Sequence, residues 1–179
     1  MPLVPSVVRG VLVPWSIAVV IASSSTGGAA QEAAKPGKVR SWPCRLIPAS
    51  TIGPVIERGM ERSETLRGQC EELASARAVV VLEWGVMDSQ SHAKTGMAVH
   101  GGVVVASVKL PPLGDTIVLM AHELQHVIEH TRGLDFPVEA KRAGSGVWLT
   151  LGGYETQAAV DVSRRVAKEL SEYSRAARK

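Results

Sequence analysis

The sequence predicts an α+β fold in which a small antiparallel sheet packs against helices. Three observations carry this. Apolar residues recur at helical spacing in three separate stretches. Two strand-like runs meet at a double glycine, Gly101-Gly102. Every strand-like run lies between the first and second helical stretches, so strands and helices are segregated along the chain and do not alternate.

The first helix is expected from Thr51 to Ala74, where Ile52, Ile56, Met60, Leu66, Cys70 and Leu73 share a face. Thr51 is its candidate N-cap, and Pro54 is tolerated in a first turn. Gly59 and Gly68 weaken that helix. Residues 78–84 (AVVVLEW) are rich in β-branched side chains and read as a strand. Residues 95–100 and 103–110 form a hairpin through the two glycines, and Pro111-Pro112 ends its second strand. Asp115 or Thr116 can cap a helix running to about His130. Residues 131–153 carry Gly133, Pro137, Gly144, Gly146, Gly152 and Gly153 and read as a loop. A last helix is expected from about Tyr154 to Tyr173.

This domain is expected to begin at residue 42. Residues 1–30 hold one charge, Arg9, then an apolar run from Gly10 to Ala22 and small residues to Ala30. That is the pattern of a signal peptide cleaved after Ala30. The run is too short to span a bilayer, which needs about 20 residues, and Pro14 interrupts it. No stable membrane insertion is therefore expected after cleavage. Residues 31–41 read as a flexible leader and 42–179 as one domain. The protein is expected to be exported, periplasmic or extracellular.

Of the 179 residues, 21% are charged and 45% hydrophobic, a globular composition. The net charge of +3 and the 4% aromatic content argue against a nucleic-acid partner. Two cysteines exclude a zinc ribbon. Export favours a Cys44–Cys70 disulfide. An unbroken helix from Thr51 would carry Cys70 about 28 Å along its axis. Residues 44–51 reach back only about 24 Å. The bond then needs a straight return path, a later helix start or a kink at Gly59. Two buried free thiols are the alternative.

Residues 121–130 read Ala-His-Glu-Leu-Gln-His-Val-Ile-Glu-His, and His122, Glu123 and His126 make HExxH. Residues four apart lie on one helix face, so both imidazoles can reach one Zn²⁺ at about 2.1 Å. Glu123 beside them can take a proton from a zinc-bound water. A third ligand is needed. Glu129 and Arg132 stand where the extended HExxHxxGxxH form requires Gly and His. His130 is one turn further along the same straight helix and cannot converge. A di-iron site would need a second ExxH, which the chain lacks. Glu155 is the candidate: it opens the last helix and shares a face with Ala158, Ala159, Val162, Val166 and Leu170. Asp161, on another face, is the runner-up.

HExxH on one helix, followed by a glutamate on a later helix, resembles the gluzincin metallopeptidases. The resemblance implies a zincin-like fold in a minimal, exported form, without a larger second domain. It implies His122, His126 and Glu155 as Zn²⁺ ligands and Glu123 as general base and later proton donor. It implies hydrolysis of peptide bonds in a peptide or protein substrate, aligned on strand 103–110 as a sheet edge. Many gluzincins place an acid one turn after the glutamate ligand to orient a ligand histidine. That position is Ala159 here. For a transition-state stabiliser, Tyr154, His130 and His100 are candidates, and Trp148 could line a pocket. The rival expectation is a non-catalytic exported metal-binding module or degenerate peptidase.

Overall fold

The structure, a computed structural model, describes residues 42–49, 51–85 and 93–178. The expected signal peptide and leader lie outside the described residues. The chain runs β1 (Arg45–Pro48), α1 (Gly53–Arg62), α2 (Glu64–Ser75), β2 (Val79–Trp84), β3 (Lys94–His100), β4 (Val103–Leu110), α3 (Thr116–Thr131), α4 (Phe136–Glu139), β5 (Val147–Thr150), β6 (Gly153–Thr156) and α5 (Gln157–Ala176). The fold is α+β, but the strands are not confined between the first two helical stretches as expected: β1 precedes α1, and β5 and β6 follow α4. Among the described residues, no helix is long and apolar enough to cross a membrane.

The main sheet has the order β1-β2-β4-β3, and it is not wholly antiparallel. β1 pairs with β2, and β2 with β4, in parallel, and only β3 and β4 run antiparallel. Between β1 and β2 the reason is the connection: a helical crossover, α1–α2, returns the chain in the same direction. β4 parallels β2 because β3, which comes between them in the chain, runs the opposite way on the outer side of β4. β1 escaped the sequence reading because it is four residues long and ends in Pro48, which suits an edge strand. The expected hairpin is present. Gly101 and Gly102 have φ of 56° and 77°, the doubly positive pair of a type I′ turn. Strand 103–110 is not the edge that was expected. It is β4, covered on both sides, and the free edge belongs to β3.

One face of the sheet supplies Val80, Leu82, Ala106, Val108 and Leu110 to the core. Against them pack Ile56, Leu66, Cys70 and Leu73 from α1 and α2, Leu124, Val127 and Ile128 from α3, and Val162 and Val166 from α5. The expected single helix at 51–74 is two helices. Ser63 is extended (φ −125°, ψ 118°), and its hydroxyl accepts from the Leu66 amide at 3.0 Å, capping α2. A serine that bonds the backbone locally competes with helix continuation. Gly59 is not a kink but a close approach. A Cβ there would lie 2.6 Å from Leu66 Cδ2 and 3.1 Å from Ile117 Cγ2. Thr51 is not the cap of α1: Ile52 holds that position, and the Thr51 hydroxyl accepts from Trp84 Nε1 at 2.7 Å.

The corner at Ser63 removes the geometric objection to the disulfide. Cys44 and Cys70 are bonded, with Cα atoms 5.0 Å apart. Paired thiols are the state expected of an oxidising compartment, which is consistent with export.

Glu169 of α5 completes the corner, accepting from Ser63 Oγ, from Thr65 Oγ1 at 2.7 Å and from the Thr65 amide at 3.3 Å. Partial burial opposes its charge, but these donors outweigh it and hold its pKa below the ordinary glutamate value. A lowered folded pKa gives stability that is complete above the ordinary value and fades as pH falls through the folded one. Glu169→Ala is therefore expected to cost about 1–2 kcal/mol at pH 7. The cost should shrink in acid, as read by urea unfolding at both pH values.

Candidate metal centre

α3 places its histidines by its own periodicity. Met120, Leu124, Val127 and Ile128 turn into the core. That leaves His122 and His126, one turn apart, on the flank facing the second sheet. That sheet is the hairpin β5–β6, in which Trp148 pairs with Glu155 and Thr150 with Gly153. Glu155 is thus a strand residue and does not open the last helix. α5 starts at Gln157, and Thr156 caps it by accepting from the Ala159 amide at 3.0 Å. Two signals pointed there. Thr156 has a side chain able to cap a helix, and Leu151-Gly152 is a two-residue turn between β-prone runs. Ala158, expected on the buried face, is exposed.

The hairpin nevertheless delivers the Glu155 carboxylate between the two imidazoles. His122 Nε2 is 3.2 Å from Glu155 Oε2, and His126 Nε2 is 3.5 Å from Glu155 Oε1. One ligand atom from each of the three residues lies within 4.8 Å of the others. Ligands at about 2.1 Å in a tetrahedral shell stand about 3.4 Å apart. His122, His126 and Glu155 can therefore hold a metal ion.

Each imidazole offers Nε2 because its Nδ1 is engaged. Ser163 Oγ lies 2.9 Å from His122 Nδ1, and Glu129 Oε2 lies 3.2 Å from His126 Nδ1. Glu129 is itself buried and accepts from Thr156 Oγ1 at 2.9 Å. Ala159 therefore left no gap. The acid bonded to a candidate ligand histidine comes from α3, three residues after His126. The i+3 spacing was the available signal, since it puts Glu129 beside His126 on the helix. Ser163 carried no signal in the sequence. Replacing partners of this kind typically weakens metal binding by about 10–100-fold. Glu129→Gln is expected to fall in that range in a competition titration against a chelator, with the fold retained.

The electrostatics ask for positive charge. Burial alone would lower the His126 pKa. Hydrogen bonds to Glu129 and Glu155 and the charge of Glu123 outweigh burial and raise it from 6.5 to about 9 without a cation. Burial would raise Glu155. His122, His126 and the Thr156 amide at 2.8 Å instead hold it well below the usual carboxylate range. Three carboxylates around two imidazoles leave a negative excess that a bound cation would offset.

The cluster opens into a cavity of about 670 Å³. Lys94, Thr95 and Met97 of β3, Leu119 and Glu123 of α3, and Phe136, Leu151 and Tyr154 are among the residues that line it. The buried Glu123 carboxylate accepts from Thr95 Oγ1. Tyr154 lines the cavity, its ring stacked on Phe136, which in turn meets His126 edge-on. His130, His100 and Trp148 are not among the lining residues. Asp161 is exposed, bound to Gln157 and Arg164, and takes no part in the cluster.

Compared with models of protein families, with curated proteins and with solved structures, the chain matches none, so its chemistry is read from the cluster and its cavity.

Proposed function

We propose that the protein is an exported zinc-dependent hydrolase of peptide bonds, with a gluzincin-like ligand set and a zincin-like architecture. One observation carries the reading. A buried carboxylate that is not needed as a ligand, Glu123, shares an open cavity with the His122/His126/Glu155 cluster. A site that only binds metal has no use for it. Two imidazoles and one carboxylate, with room for a fourth ligand, are the donor set of catalytic zinc.

Zinc in such a site lowers the pKa of coordinated water to about 7 and polarises a carbonyl. The chain supplies the rest. Glu123 accepts the proton of the attacking water and returns it to the leaving amine. Glu129 and Ser163 keep both imidazoles in the orientation that presents Nε2. The free edge of β3 aligns an extended substrate by backbone hydrogen bonds, the role first expected of strand 103–110. Tyr154, which lines the cavity, is the candidate donor to a developing oxyanion.

The test is metal content followed by cleavage. Wild type should carry about one zinc per chain, and His126→Ala and Glu155→Ala should lose it, since each removes one of three ligands. The loaded wild type should then cleave members of a peptide library, with cuts mapped by mass spectrometry. Zinc bound without any cleavage would leave a metal-binding module. No uptake on titration would remove the reading altogether.

A further inference from the structure

β3 supplies the cavity with one hydroxyl that the hydrolytic reading leaves unused. Thr95 stands opposite Val108 in the β3–β4 register, on the face of the sheet turned toward the core. From there its Oγ1 donates to Glu123 Oε2, across 28 residues of sequence. Among the described residues it is the side-chain donor found for this carboxylate. The contact joins the free edge of the sheet to the residue next to a ligand histidine.

We propose that Thr95 is a positioning residue that holds Glu123 in the cavity and keeps its carboxylate off the cation. The proposal rests on the hydrolytic reading above. A glutamate side chain turns about three bonds and, unrestrained, samples several rotamers. A carboxylate beside a divalent cation also has an alternative partner. It can swing onto the metal and take the position that a catalytic site leaves open. One hydrogen bond from a neighbouring element opposes both. It engages Oε2, leaves Oε1 for the substrate side, and keeps the open position open. Threonine suits this role. It is β-branched, so its χ1 is narrowly set in a strand, and its hydroxyl is aimed with little entropy to lose. A charge-assisted bond from a neutral donor is also among the stronger kinds available.

The merely structural alternative is a stitch between sheet and helix. It would make the hydroxyl matter for unfolding and for nothing else.

The experiment uses the full chain with Thr95→Val, which keeps the shape and removes the hydroxyl, and Thr95→Ser, which restores the hydroxyl. Each is loaded with Co²⁺, whose visible spectrum reports the ligand shell, and is assayed in parallel on a peptide cleaved by wild type. Thr95→Val should still bind one cation, and its Co²⁺ spectrum should differ from wild type. Its kcat should fall about 10–100-fold, the usual effect of a misplaced catalytic group, with KM changed less than about threefold. Thr95→Ser, which keeps the hydroxyl but loses the β-branch, should recover most of the wild-type behaviour in both readouts. A wild-type spectrum and kcat in Thr95→Val would overturn the proposal. So would equal losses in both variants, because shape and not the hydroxyl would then be responsible. If loaded wild type cleaves nothing, the hydrolytic reading falls. The spectra then decide alone whether Thr95 holds Glu123.

Discussion

Glu123→Gln is expected to keep one cation per chain and to lose hydrolysis by about 10²–10⁴-fold, the usual contribution of a positioned acid–base group. The substitution is nearly isosteric, and the amide can still accept from Thr95, so the cavity should keep its shape. What disappears is the basic carboxylate proposed to take the water proton. Glu123 is not one of the three cluster residues, so zinc stoichiometry should match wild type. Both quantities need measuring on the same preparation. Lost metal together with lost activity would make Glu123 a structural part of the site. Full activity with metal retained would move the base elsewhere.

Reducing or removing the disulfide is expected to have the largest effect on stability. The bond closes a loop spanning a sequence separation of 26. On the chain-entropy account that loop is worth about 3.5 kcal/mol at 25 °C. Replacing both cysteines with alanine also empties volume in the core, since Cys70 is fully buried and Cys44 nearly so. The double variant should therefore lose at least the entropic part. It should show a lower urea midpoint and a steeper slope, because the unfolded chain is no longer held compact by the cross-link. Wild type with dithiothreitol should lose a similar amount, and the double variant should be insensitive to reductant. β1 is the element at stake. Four residues on one edge of the sheet are few to hold a strand, and Cys44 immediately precedes them.

The parts of the fold legible in the sequence were those governed by local chemistry. The double glycine set the β3–β4 turn, and the spacing of His122 and His126 set their common face. The parts that escaped depend on partners far away in the chain. Nothing near Ser63 announces that Glu169, more than a hundred residues on, will clamp a helix corner there. The 51–74 stretch therefore reads as one helix although it is two. β1 is too short to show a period. The parallel pairing of β2 with β1 and β4 is a matter of topology, which apolar patterning does not encode.

The site divides the same way. Two residues of the metal-competent cluster, His122 and His126, and the proposed base Glu123 lie within one decapeptide that the sequence singled out. Glu155 was identified as a residue but assigned to the wrong element. Glu129 was read only as a departure from a longer motif, because its role appears when Thr156 is seen donating to it. Ser163 became visible only once α5 had docked against α3.

Thr156 ends one element and begins another, and its single hydroxyl serves both. It caps α5, and it donates to the glutamate bonded to His126. The three candidate ligands therefore come into register only when α3, the hairpin and α5 are docked together. A cation bound by that set recognises the whole folded domain and has little purchase on the unfolded chain. Stability then becomes a function of free cation concentration, rising by about 2.7 kcal/mol at a hundredfold excess over the dissociation constant. In an environment where that concentration varies, the same chain would be alternately robust and fragile, with its lifetime against proteolysis set by the supply of metal.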